Sequence, residues 1–343
     1  MSETSRHCSK PQVPIIRAAN LMGFIDFLEK TAGPADGCLG RAGLSRELTK
    51  RPECLISFPR AIRFLELASA QIGTPHMGWY VGRDHPISAL GSYGQRLDAC
   101  VTVHDYLRTG VSLYPRVSNR DSLKLEEVRE GLRIHHDSGL PPSLGTHQSD
   151  LHFIEITLGK LREALGPSWT PGRVGIAHSP SEPVPADSLL ASAGVLTKSG
   201  TAFIEVSKAE LRAVFPRRRR PTNSRPPSVS LSSLPADFVG LARAQIEMLL
   251  PTGRIGIELL AESMGLSVRS VQRRIASAES SFSELLEDAR FRLATSWLEH
   301  TSKSVTEIAF DLGYQYPANF TRAFRARTGL PPNAYRATFS GSA

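Results

Sequence analysis

The sequence predicts an α+β N-terminal domain joined to an all-α C-terminal domain that holds two helix-turn-helix units. Three observations carry this. At 343 residues the chain exceeds what one ordinary core holds. Residues 216–236, which include "PRRRRPTNSRPPSVSLSSLP", lack any sustained apolar period and are rich in Pro, Ser and Arg, the composition of a solvated tether. Strand-like alternation occurs only before that tether, whereas one helical unit occurs twice after it. The expected boundaries are therefore 1–215, 216–236 and 237–339.

In chain order, "IIRAANLMGFIDFLEKTAG" and "PRAIRFLELASAQIG" place apolar residues three and four apart and predict amphipathic helices. "DSLKLEEVREGLRIHHD" alternates, and predicts two strands with a turn at Glu130-Gly131. A further helix is expected across "SDLHFIEITLGKLREALG", and short buried strands at "TPGRVGIAH" and "TAFIEV". Beyond the tether, "DFVGLARAQIEMLLP" predicts a helix ended by Pro251. Short helical segments follow, punctuated at Gly265, Gly313 and Gly329.

Composition bounds the function. Hydrophobic residues make up 41% and charged residues 22%, the mix of a folded globular chain. No apolar run approaches the roughly 20 residues of a membrane helix, and the N-terminus lacks a signal-peptide core, so a cytoplasmic protein with no membrane partner is expected. Cys8, Cys38, Cys54 and Cys100 are scattered and read as reduced thiols. Net charge is +8, and Arg217 to Arg220 supply half of it. A basic balance favours polyanions, yet a bare arginine run has no shape with which to read a sequence. It reads as a connector held extended by self-repulsion, with auxiliary contact to DNA phosphates as the other possibility.

The informative feature is a repeat. In "ELLAESMGLSVRSVQRRI" and "TEIAFDLGYQYPANFTRAF", Ala261 and Gly265 precede Ala309 and Gly313 by 48 residues, and Arg273 and Ile275 precede Arg322 and Phe324 by 49. Each copy has a short helix, a small residue four positions ahead of a glycine, a brief turn and a second helix. Glycine ends the first helix in the left-handed conformation, and the small residue allows close helix crossing. In a helix-turn-helix the second helix enters the major groove.

The candidate contacts are Arg269, Ser270, Gln272, Arg273 and Arg274 in the first copy, and Gln315, Asn319, Thr321, Arg322 and Arg325 in the second. Arginine donates bidentately to guanine, and glutamine or asparagine pairs with adenine. Val271, Ile275, Phe320 and Phe324 supply the inward faces. "SFSELLEDARFRLATSWLEHT" predicts one long helix holding the copies apart, so that two recognition helices reach successive grooves about 34 Å apart.

"IAFDLGYQYPANFTRAFRARTGLPPNAYR", residues 308–336, resembles the signature of the AraC/XylS transcriptional regulators. Ile308, Ala309, Gly313, Tyr314, Asn319, Phe320, Arg322, Phe324, Arg325, Gly329, Pro332, Tyr335 and Arg336 fall on pattern, while Ala318, Ala326 and Pro331 depart from it. "PRAIRFLELASAQIGTPHMGWYVGR", "LGSYGQRLDACVTVHDYLRTGVSLY" and "LREALGPSWTPGRVGIAHS" follow in an order similar to the arabinose-binding-type effector domain of one branch of that family. The resemblance implies a sensing and dimerising N-terminal domain, without implying arabinose as its ligand. Expected partners are double-stranded promoter DNA, RNA polymerase, an unidentified small-molecule effector and a second copy of the chain. The alternative is control by a protein partner.

Neither cofactor nor metal is expected. Adjacent His135 and His136 on a strand point to opposite faces, and His147 and His152 are five residues apart, not at the i, i+4 spacing of a helical metal site. These histidines read as polar fillers. The sequence has no dinucleotide or phosphate loop, no nucleophile elbow and no obvious carboxylate pair, so no enzyme is expected.

Overall fold

A computed structural model of the chain describes residues 13–177, 194–216, 231–252 and 255–340. Arg217 to Arg220 and Cys8 lie outside the described residues. The chain divides into two compact units, one spanning Pro14–Leu234 and the other beginning at Pro235.

The first unit opens with strand β1 (Ile15–Arg17), helices α1 (Ala19–Ala32), α2 (Asp36–Ala42) and α3 (Arg46–Thr49), and strand β2 (Leu55–Ser57). Helices α4 (Phe58–Ile72), α5 (Met77–Asp84), α6 (Gly91–Asp98) and α7 (Val103–Leu113) follow. Then come β3 (Ser122–Val128), β4 (Gly131–Asp137), the long α8 (Leu144–Leu165), β5 (Arg173–Ile176), β6 (Gly194–Thr197) and β7 (Ala202–Ser207). Two strands, β1 and β2, form an antiparallel pair; the other five form a sheet in the order β3-β4-β7-β5-β6, with β5 and β6 parallel.

The expected α+β class is present, with local corrections. The first predicted helix begins four residues too early, because Ile15–Arg17 is strand: its backbone pairs with Leu55–Ser57, and all three residues are buried. The hairpin turn falls at Arg129-Glu130, one residue earlier than expected, since Val128 pairs with Gly131. β2 and β6 carry no alternation long enough to have been read as strands.

Helix α8 is the axis of this unit. Ser143 caps it, accepting from the Thr146 amide at 3.2 Å while Thr146 Oγ1 accepts from the Ser143 amide at 2.9 Å. Two glycines let α5 lie against it. A Cβ on Gly78 would sit 2.0 Å from the Gln148 carbonyl oxygen, and one on Gly82 would sit 2.6 Å from the Glu155 Cβ. Spaced four residues apart, they clear one stripe of α5 for backbone approach. Gln148 fixes the register, its Oε1 accepting from the Gly78 amide at 2.7 Å and its Nε2 donating to the Pro75 carbonyl at 2.8 Å. At the end of the expected tether Leu231 is buried while Ser232, Ser233 and Ala236 are exposed, and the Leu231 and Ser232 carbonyls accept from Arg116 and Arg17.

The second unit is all-α, as expected: α9 (Phe238–Leu249), α10 (Ile257–Ser263), α11 (Val268–Ala276), α12 (Phe282–His300), α13 (Val305–Asp311), α14 (Pro317–Thr328) and α15 (Pro332–Ser340). The first half of α12 buries Leu285 and Ala289, and the helix packs on α9. Its second half gives Ala294 and Leu298 to a core shared with Ile308, Ala309, Leu312, Phe320 and Phe324.

Candidate DNA-binding surface and buried cavity

The two helix pairs close by the same backbone device. The Leu266 amide donates to the Ala261 carbonyl at 2.9 Å and the Gly265 amide to Glu262 at 3.0 Å; the Tyr314 amide donates to Ala309 at 3.0 Å and the Gly313 amide to Phe310 at 2.9 Å. Gly265 and Gly313 have φ of +65° and +77°, which a side chain resists. The 48-residue spacing of alanine and glycine is thus the spacing of two Schellman-type stops.

In the first copy, Ser267 caps α11, its Oγ accepting from the Ser270 amide at 3.2 Å. Val271 and Ile275 are buried, and Arg269, Gln272 and Arg273 are exposed. Ser270 is half-buried, with its hydroxyl bonded to that of Ser267 at 2.9 Å. Arg274 is also half-buried, its guanidinium 5.3 Å above the Phe238 ring, so it faces α9 rather than standing free beside Arg273.

In the second copy, Pro317 opens α14, and Phe320 and Phe324 are buried with ring centroids 5.7 Å apart. Asn319, Arg322 and Arg325 are exposed, and Thr321 is half-buried. Asn319 Oδ1 accepts from Arg322 at 3.2 Å, one turn away. Gln315 is exposed but lies in the turn ahead of the helix. Beside it Tyr316, 59% exposed, is a candidate contact that the sequence reading passed over, since nothing in the local pattern separates an exposed tyrosine from a core one.

Most of the signature residues turn out to build the scaffold. Tyr335 packs edge-on against Phe324 at 5.2 Å and donates to Glu299 at 2.8 Å; Arg336 donates to the Lys303 carbonyl. Arg290 donates to the Leu312 carbonyl at 3.0 Å and lies 4.7 Å from the Tyr314 ring. Arg327 pairs with Asp288 at 2.8 Å and covers the Phe291 ring at 4.2 Å.

The first unit contains a partly open cavity. Its lining is apolar over most of its extent, with Leu21, Phe24, Phe58, Leu65 and Ile156 among the contributors, and Tyr93, Tyr106 and Tyr114 on one side. At its polar end stands His136. Its Nδ1 lies 2.9 Å from Asp150 Oδ1 and its Nε2 3.3 Å from Asp121 Oδ2, and all three side chains are buried. Burial alone would lower the imidazole pKa, but the bonds and charges of the two carboxylates outweigh it and raise it to about 10, so the ring is cationic. Tyr114 donates to Asp121 Oδ2 at 2.5 Å.

The polar-filler reading of His136 and the absence of a carboxylate pair are therefore corrected: the fold assembles the pair around this histidine. His135 is on the opposite face, between Glu126 and Thr201. His152 also lines the cavity, and desolvation lowers its pKa to about 3, so it is neutral. Among the described residues, no group of three or more His, Cys, Asp or Glu is arranged to hold a metal ion. No described helix is long and apolar enough to cross a membrane.

Residues 33–214 match the family of the arabinose-binding N-terminal domain of AraC transcription regulators, and residues 260–338 match a helix-turn-helix domain family. The chain is 24% identical over 342 residues to the transcriptional regulator VirS of Mycobacterium tuberculosis, covering 94% of this chain and 96% of that one. It is 39% identical over 80 residues to the ornithine utilization regulator of Pseudomonas aeruginosa, covering 23% and 24%. Among solved structures, the transcriptional regulator CdpR of Pseudomonas aeruginosa is similar at 17% identity and a TM-score of 0.36, over 91% of this chain and 98% of that one. The two sequence relatives are named as regulators. With the N-terminal family spanning more than half its length, the chain belongs to the AraC/XylS family and is a DNA-binding transcriptional regulator.

Proposed function

We propose that this regulator reads two successive major grooves with α11 and α14 and that the cavity of its first unit senses a small molecule. The observation that carries the DNA reading is the repeated stop, which sets Arg273 and Arg322 at equivalent places on exposed helix faces. Arg269, Gln272 and Arg273, and Asn319, Arg322 and Arg325, carry base and phosphate contacts. Gln315, Thr321 and Tyr316 meet the backbone at the start of α14. Ser270 acts through the cap, and Arg274 through its hold on Phe238.

In this reading residues 1–215 sense and dimerise, 216–236 connect, and 237–339 bind promoter DNA beside RNA polymerase in the cytoplasm. The concave, mainly apolar cavity favours a metabolite over a protein partner, because most of its lining side chains are buried and offer little surface for docking. The ligand acts by binding the DNA-competent and incompetent states unequally. A nuclease footprint on the best duplex from a randomised pool tests the groove reading. Two protected grooves about 34 Å apart per protomer are expected. Protection of a single groove per protomer overturns it.

A further inference from the structure

The polar end of the cavity has an acceptor to spare and no cation to spare. Asp121 and His136 are the charged members of the lining. Both nitrogens of His136 are taken by carboxylates, and both donations that reach Asp121, from Tyr114 and His136, fall on Oδ2. Asp121 Oδ1 has no hydrogen-bond partner among the described residues, although the side chain is only 1% exposed. A buried carboxylate oxygen without a donor is costly, and the cost is removed when a donor arrives. Tyr93, another hydroxyl of the lining, already donates to the Gly110 carbonyl at 3.2 Å.

We propose that the cavity binds an apolar amine, with the hydrocarbon or aromatic body against the apolar wall and the ammonium donating to Asp121 Oδ1. This rests on the reading of the first unit as a small-molecule sensor and adds the chemical class of the ligand. An ammonium brings a charge-assisted bond to a buried carboxylate, about twice the strength of a neutral one. A hydroxyl donates without the charge. A carboxylate or phosphate ester instead meets Asp121 as a like charge, and the one imidazolium is already shared between two carboxylates.

The test is calorimetric titration of the full chain at pH 7 with three isosteric probes: 4-phenylbutylamine, 4-phenylbutanol and 4-phenylbutyrate. The amine is expected to bind about tenfold or more tighter than the carboxylate, with the alcohol between them. Asp121→Asn keeps the shape, and should cut the amine's affinity about tenfold while changing the alcohol's by less than about threefold. Ala61→Phe, which pushes a ring into the lining, should abolish amine binding. Equal or tighter binding of the carboxylate, no heat with the amine, or amine binding untouched by Ala61→Phe overturns the proposal. Were Asp121→Asn to unfold, the wild-type ranking of amine against carboxylate still decides. DNA affinity measured with and without the amine separates the two readings: amine binding that leaves DNA affinity unchanged counts against sensing and leaves the ligand class standing.

Discussion

Arg273 and Arg274 are neighbours in sequence, and their substitution by alanine should have opposite consequences. Arg273 is exposed on the face of α11 turned away from Val271 and Ile275. Its loss removes one base contact, worth about 1–3 kcal/mol, or roughly 5- to 150-fold in specific affinity. Nothing in the core of the unit changes, so the melting temperature should hold. Arg274 is half-buried, with its guanidinium 5.3 Å from the Phe238 ring of α9. Removing it costs the cation–π contact, about 0.5–1 kcal/mol, and the loss falls on folding. For a unit of roughly 100 residues that is a drop of about 2–8 °C in the transition that reports the C-terminal unit. Gel-shift titration at matched salt and thermal melts of the full-length variants read the two quantities separately. If both variants lose affinity equally and melt alike, the assignment of one arginine to DNA and the other to the fold is wrong.

Phe320→Ala should destabilise the C-terminal unit by about 3–5 kcal/mol, whereas Phe310→Ala, at a ring that is 53% exposed, should cost under about 0.5 kcal/mol; denaturant melts that fail to separate them would show that Phe320 is not packed. Replacing Arg217 to Arg220 with alanine should lower affinity evenly across DNA sequences and reduce the slope of log affinity against log salt, and unequal losses among sequences would contradict the connector reading. His136 has a folded-state pKa of about 10 against an ordinary value near 6.5. Its contribution to stability is therefore complete below about pH 6.5 and is lost as pH rises toward 10. Unfolding midpoints from pH 6 to 10 should fall more steeply in the wild type than in His136→Gln, and parallel curves would show that the imidazole is not held as a cation.

What could be read in advance follows from the range of the interactions. The C-terminal unit was legible because its decisive features are local: an alanine and a glycine at fixed spacing and aromatic rings one turn apart all act within a few residues. The strand at Ile15–Arg17 was missed because its apolar run joins the next helix without a break, and only its partner Leu55–Ser57 identifies it. The difference in exposure between Arg273 and Arg274 was hidden for the same reason, since it depends on where Phe238 lies. The polar end of the cavity is the extreme case. Asp121, His136 and Asp150 come from the entry to β3, from β4 and from α8, and each looks ordinary in its own segment. No local pattern could have announced the cavity they adjoin.

Helix α12 belongs to two cores at once, and Asp288 midway along it faces Arg243 on one side, at 3.8 Å, and Arg327 on the other, at 2.8 Å. A crossover within the helix would therefore divide a beam that both helix pairs share. New target preferences should accumulate by exchange of single outward side chains on an unaltered frame, and chimaeras joined at the ends of α12 should survive where those joined at its middle do not.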